Sequence, residues 1–96
     1  MYIIYGLISQ KRNWIYVGMT SDLEDRVRRH QNGYERTTKP FRPFIIVELA
    51  VAFNSKEARR IEKWYKTAYG KNCIRQFLLS TGPPFHGGIT GLSADR

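Results

Sequence analysis

The chain has 96 residues, 42% of them hydrophobic, and a formal charge of +8 from 16 Lys and Arg against 8 Asp and Glu. That length holds one domain with one modest core rather than two, and the hydrophobic content excludes a disordered chain. No apolar run is long enough to span a bilayer, and the N-terminal "MYIIYGLIS" lacks the basic region that opens a signal peptide.

Residues 2–9, "YIIYGLIS", are rich in β-branched and aromatic types and predict a strand. The polar "SQKRN" turn leads into a second predicted strand at 14–19, so the two form an antiparallel hairpin. Gly18 inside that strand is unusual, because glycine leaves nothing to pack and costs backbone entropy. Either a bulge or the close approach of a ligand to the backbone accounts for it.

A helix follows, capped by Ser21 or Thr20, with Asp22, Glu24 and Asp25 where the helix dipole favours acids and Gly33 as its stop. Leu23 and Val27 give it a narrow inward stripe. A basic loop, 34–43, is closed by Pro40 and Pro43. "FIIVELAVAF", 44–53, is the most strand-like run and predicts the central or third strand. The second helix opens on Asn54 or Ser55, with Glu57 placed for a capping box, and runs to about Tyr69, ahead of Gly70. A shorter helix at 72–79 carries Ile74, Phe77 and Leu78.

The order β-β-α-β-α-α predicts an α+β fold, a small three-stranded antiparallel sheet flanked by helices. One domain covers 1–80, and the Gly- and Pro-rich segment 81–96 is an irregular tail. The lone Cys73 cannot form an internal disulfide and fits a reducing cytoplasm.

The positive charge is concentrated. Residues 26–42 hold Arg26, Arg28, Arg29, Arg36, Lys39 and Arg42 against the single acid Glu35, and 56–75 hold seven basic residues against Glu57 and Glu62. Such an excess, arginine-rich and so suited to phosphate, favours polyanions, nucleic acid first. A merely solvated surface is the plainer alternative.

Several polar residues sit where a structural design would not need them. Arg26 and His30 are four apart and share a helix face, so together they could hold a phosphate and pass a proton near neutral pH. The plainer alternative pairs Arg26 with Asp22 and leaves His30 on the surface. Glu62 falls about 40° from Ala58 on a helical wheel, at the rim of the apolar arc of Ala58, Ile61, Tyr65 and Ala68. A carboxylate there could ligate Mg²⁺ or Mn²⁺, with water and phosphate oxygens filling the other positions. A salt bridge to Lys66 or Arg59 is the alternative. Tyr5 and Tyr16 occupy the two hairpin strands, each near a glycine, and either stack on bases or pack in the core.

Taken together, "IIY" at 3–5, "YVG" at 16–18, Arg26 and His30 as R-x-x-x-H, and Glu62 on a later helix resemble the GIY-YIG nuclease family. The two tripeptides each differ from the family name at one position, Ile3 for Gly and Val17 for Ile. The resemblance covers roughly residues 1–79 and is nearest to the small, stand-alone bacterial members. It implies a Mg²⁺- or Mn²⁺-dependent endonuclease acting on DNA, branched or damaged DNA included, in repair, recombination or defence, as a monomer or a homodimer. By position, Tyr5 would help activate the attacking water and Tyr16 would lie at the scissile phosphate. Arg26 would stabilise charge on phosphorus, and His30 would assist proton transfer or orient a tyrosine. Glu62 would be the single protein carboxylate on the metal. A cation near Tyr5, the metal or Arg26, would lower its pKa.

Arg28, Arg29, Arg36 and Lys39 are then candidates to grip the DNA backbone, and Gly18 would let a phosphate approach the second strand. Lys66, one turn after Glu62, would contact a phosphate or neutralise Glu62. The alternative function is a non-catalytic nucleic-acid-binding module on the same fold, for which Glu62 would be a liability. A zinc site from Cys73, His30 and His86 matches no finger spacing.

Overall fold

The computed structural model describes residues 1–81. β1 (Tyr2–Ser9) is the middle strand of a three-stranded sheet, with β2 (Ile15–Thr20) on one side and β3 (Phe44–Ala52) on the other, both antiparallel to it. The expected β-β-α-β-α-α order and antiparallel sheet are therefore found. β3 is third in sequence and lies at an edge rather than in the centre. Its continuous apolar run reflects helices on both faces of the sheet: Phe44 and Ile46 pack on one side, Leu49, Ala50 and Ala52 on the other.

Adjacent strand residues point to opposite faces, and this divides the core in two. Tyr5 and Leu7 meet Leu23 and Val27 of α1 (Leu23–Gln31), while Ile4, Ile15 and Val17 meet Ala58 of α2 (Ser55–Tyr65) and Ile74 of α3 (Ala68–Thr81). The sheet is thus sandwiched between α1 and the α2–α3 pair. Beside Tyr5 the β1–β3 register slips: Ile4 pairs with Ala50 but Tyr5 with Glu48, leaving Leu49 as the extra residue of a β-bulge.

The helix ends follow local chemistry, with two departures from the sequence reading. The N-cap of α1 is Asp22, whose carboxylate accepts the Asp25 N–H at 3.1 Å; Thr20 Oγ1 instead accepts from the Asp22 N–H at 3.0 Å and fixes the approach of the chain. At the other end Gly33 takes φ +79°, donating its N–H to the His30 carbonyl, and Tyr34 donates to Arg29. Gly33 also admits Arg42, because a Cβ there would lie 2.9 Å from Arg42 Nη1, which donates to the Gln31 carbonyl. Asn54 caps α2 through the Glu57 N–H at 2.8 Å, as its spacing predicts.

The second departure is Gly70, which does not stop α2. That helix ends at Tyr65, and α3 begins at Ala68, so Gly70 lies in the first turn of α3. Thr67 makes the corner, donating to the Trp64 carbonyl at 2.7 Å while accepting the Gly70 N–H at 3.0 Å. A Cβ on Gly70 would collide with the Trp64 carbonyl and lie 2.5 Å from Tyr65 Cα. The glycine is there so that one helix can cross the end of the other. Among the described residues no helix is long and apolar enough to cross a membrane. The Gly- and Pro-rich tail from residue 82 onward, His86 included, lies outside the described residues.

Candidate active site

β1 turns Tyr5 toward α1, and α1 turns His30 back toward the sheet. The Tyr5 hydroxyl stands 3.0 Å from His30 Nε2, and His30 Nδ1 stands 2.9 Å from Thr38 Oγ1, which in turn donates to the Glu35 carbonyl at 3.4 Å. Tyr5 and Thr38 are wholly buried and His30 is 1% exposed. With the Thr38 O–H on the Glu35 carbonyl, Thr38 accepts from His30 Nδ1–H and Nε2 accepts the Tyr5 O–H.

This arrangement overturns the plainer reading of the Arg26–His30 pair. His30 is a core residue, and Asp22 uses its carboxylate on its own helix while Arg26 has no carboxylate partner among the described residues. Burial pushes the His30 pKa down to about 4, reinforced by the positive charges of Arg26 and Arg29 and opposed by Glu35. The imidazole is therefore neutral near pH 7 and able to accept a proton, rather than half-titrated there. Glu35 is held below the usual carboxylate range by its hydrogen bond from Arg29.

The Tyr5 phenol departs from expectation too. Arg26 does pull its pKa down, but burial, and then the neighbouring Tyr16, push it up by more, so the hydroxyl is a weaker acid than a free tyrosine. Tyr5 holds its proton, with His30 waiting beside it.

Tyr16 sits next to this chain, its ring centroid 5.3 Å from His30 and 6.4 Å from Tyr5. It is braced from behind by Trp14, stacked at 6.2 Å, which itself stacks on Phe41 at 3.8 Å. Tyr16 and Arg26 are half-buried, so they are the members of the group open to solvent.

Gly18 pairs with Tyr5 across the hairpin, and the room above it is filled from within the protein. A Cβ there would lie 2.7 Å from the Tyr5 hydroxyl oxygen and 3.0 Å from the Tyr16 ring. The glycine is required by Tyr5, where the sequence suggested a phosphate.

Glu62 lies on α2, whose Ala58 packs on the opposite face of the sheet from Leu23 and Val27 of α1; its side chain is 16% exposed, with an oxygen 3.4 Å from Lys66 Nζ. No hydrogen bond or ion pair among the described residues joins it to the Tyr5–His30 chain. Of its two expected partners, Lys66 is the one found. Among the described residues no three His, Cys, Asp or Glu side chains come together to hold a metal ion.

The basic residues divide in the same way. Arg28 is paired with Asp25 at 2.7 Å, Arg29 with Glu35 at 3.0 Å and Lys66 with Glu62, whereas Arg36 and Lys39 are exposed and have no carboxylate partner among the described residues. Sequence reasoning missed Thr38, Trp14 and Phe41. Trp14 was discoverable, since it lies two residues before Tyr16 on the same strand face. Nothing local marks Thr38, whose place depends on the path of the 34–43 loop.

A family model described as the GIY-YIG catalytic domain matches residues 1–75. Comparison with curated proteins and with solved structures gives no match. The match begins before β1 and runs into α3, so it takes in every strand and every residue of the buried polar chain. On that ground the chain belongs to the GIY-YIG family and carries its nuclease-type fold.

Proposed function

We propose that this protein is a metal-assisted endonuclease that hydrolyses phosphodiester bonds in DNA. The observation that carries the reading is the sealed Tyr5–His30–Thr38 chain beside Arg26 and Tyr16. A core built for stability alone gains nothing from three linked polar side chains, since each must be desolvated and fully satisfied. The family is generally one of endonucleases, and the +8 charge suits a polyanionic substrate.

In this reading Arg26 and Tyr16, open to solvent, meet the scissile phosphate. With Arg26 on the phosphate, the Tyr5 oxygen faces the attacking water molecule. The water oxygen attacks phosphorus and the bond to the 3′ oxygen breaks. The water proton passes to the Tyr5 oxygen as the Tyr5 proton passes to His30 Nε2, and the departing oxygen is protonated from solvent. Arg26 offsets the extra negative charge at phosphorus.

A lone, largely buried carboxylate fits the part of a single protein ligand to a hard divalent cation, whose remaining positions take water and phosphate oxygens. Glu62 would be the residue to hold Mg²⁺ or Mn²⁺, and the ion would supply Lewis-acid chemistry to a phosphate brought to α2. Work in a reducing cytoplasm, in repair, recombination or defence, belongs to the same reading and rests on the lone Cys73 and the charge.

The second reading, a nucleic-acid-binding module without catalysis, is favoured by one observation: Lys66 already neutralises Glu62. Nicking of supercoiled and branched DNA in Mg²⁺, Mn²⁺ or EDTA separates the two. Metal-dependent cutting that is lost in Glu62→Ala and Tyr5→Phe, with DNA binding retained, supports the nuclease. Binding without cutting in any metal supports the module.

A further inference from the structure

We infer that the outer face of α2, with the corner into α3, is a second DNA-binding surface, one that takes an unpaired strand. The inference rests on the DNA reading above and adds a substrate feature to it. Lys56, Arg59 and Lys63 follow the i, i+3, i+7 spacing, within roughly 60° of one another around the helix. All three are exposed, and none has a carboxylate partner among the described residues. The acids of α2 do not interrupt this ridge, because Glu57 is bound to Arg60 and Glu62 to Lys66. Such a row of free cations matches a phosphate backbone running along the helix.

Beside the C-terminal end of the ridge, about 100° around the helix from Lys63, stands Trp64, 45% exposed, with Tyr69 at 69% beyond it. Trp64 is not a loose surface residue. Its ring is 4.9 Å from Tyr65 and 5.6 Å from Tyr69, nearly perpendicular to both, and Thr67 fastens its carbonyl. An indole held in place yet open, at the end of a cationic track, suits stacking on a nucleobase. Paired bases already stack on one another, so the ligand is a strand with bases free. The Tyr5–His30 chain lies across the sheet from α2, so DNA engaging both surfaces must pass around the domain, which an unpaired strand can bend to do.

The probe is an oligo-dT strand added to a Trp14→Phe variant, in which Trp64 is the remaining tryptophan. We expect quenching of Trp64 fluorescence on binding. Trp64→Ala with Tyr69→Ala should then weaken oligo-dT binding roughly 5- to 150-fold. Replacing Lys56, Arg59 and Lys63 together by Gln should flatten the dependence of log affinity on log salt by about 2. Nicking of fully paired supercoiled DNA should be unchanged in both variants. Unquenched Trp64 fluorescence, or equal oligo-dT affinity in the aromatic variant, would overturn the inference and leave the nuclease reading intact. Sedimentation showing that wild type is a dimer and the Trp64→Ala variant a monomer would also overturn it, making the patch a self-association surface. Quenching in a protein that cuts nothing would uphold this surface while the nuclease reading falls.

Discussion

The Tyr5 hydroxyl stands 3.0 Å from His30 Nε2, with both side chains sealed from solvent. One comes from the central strand and the other from the helix laid across it, so the bond ties the hairpin to α1. It also joins a phenol that burial makes a weaker acid than free tyrosine to a base that burial keeps uncharged. Removing only the hydroxyl, in Tyr5→Phe, keeps the ring packed against Leu23 and Val27 and leaves Nε2 without its donor. We expect nicking to fall about 100- to 10,000-fold, with a stability loss of only about 1–3 kcal/mol. A thermal melt beside the nicking rate checks both; a rate within threefold of wild type would remove Tyr5 from the chemistry.

Thr38 acts through His30, so its loss should look different. Thr38→Val keeps the shape but leaves the His30 Nδ1–H with no acceptor. The ring would then be free to exchange tautomers, and Nε2 would no longer be reliably bare. The expected result is a kcat lowered about 10-fold with KM unchanged and recovery in Thr38→Ser. These magnitudes follow from hydrogen-bond energies of about 1–2 kcal/mol. Imidazole ¹⁵N shifts give a direct readout, since wild type should show a protonated Nδ1 and a bare Nε2. If Thr38→Val moves neither the shifts nor kcat, Thr38 is packing alone.

The buried imidazole also sets an acid limit on the fold. His30 has a folded pKa near 4 against an ordinary value of 6.5. Between those values the unfolded chain binds a proton that the folded chain does not. Stability is therefore full above about pH 6.5 and falls as the pH drops toward 4, by up to about 1.4 kcal/mol per unit from this one group. Denaturant midpoints measured from pH 7 to pH 4.5 should show the decline. In His30→Gln the His30 share of that slope should disappear, and an unchanged slope would mean that His30 is solvated in solution.

How much of this was legible beforehand differs from residue to residue, for physical reasons. The period-2 runs and helix signals place Tyr5, Tyr16, Arg26 and His30 on their elements, because those patterns are local. Whether His30 faces core or solvent is not local, since it depends on the sheet meeting α1, and so spacing alone misjudged it. Gly18 drew notice for a sound reason, the cost of glycine in a strand. Its cause was hidden because the side chain that fills the gap, Tyr5, lies 13 residues earlier and is brought opposite only by the hairpin register. Thr38 was invisible for the same kind of reason, with no periodic element to carry it. Gly70 was misread because a helix stop and a helix crossing leave the same mark in a sequence.

Lys66 and Glu62 offer a test of the metal ligand without removing it. The ammonium, 3.4 Å from the carboxylate, must be displaced by a divalent cation. Lys66→Gln should therefore lower the Mg²⁺ concentration for half-maximal nicking severalfold, an ion pair whose lysine is exposed contributing about 0.2–1 kcal/mol. Were Lys66 instead a phosphate contact, the same variant would raise the KM for DNA and leave the Mg²⁺ requirement alone.

The two glycines of the hairpin make the sharpest comparison, since Gly6 and Gly18 lie on neighbouring strands and both are buried. A Cβ on Gly6 would find Leu49 Cδ1 at 3.6 Å and Ile74 Cδ1 at 3.7 Å, ordinary contact distances on the α2–α3 face. A Cβ on Gly18 would meet the Tyr5 oxygen at 2.7 Å on the α1 face, and Tyr5 has no room to retreat. Gly6→Ala should hence be neutral or stabilising by up to about 1 kcal/mol, because it removes backbone freedom from the unfolded chain without strain. Gly18→Ala should destabilise by about 1–3 kcal/mol through overpacking. It should also push the phenol off His30, so that nicking drops nearly as far as in Tyr5→Phe. Melting temperatures and nicking rates of the two alanine variants decide it. Equal behaviour would mean that the Tyr5 ring is free to move, and the sealed chain would then be no more than one of its positions.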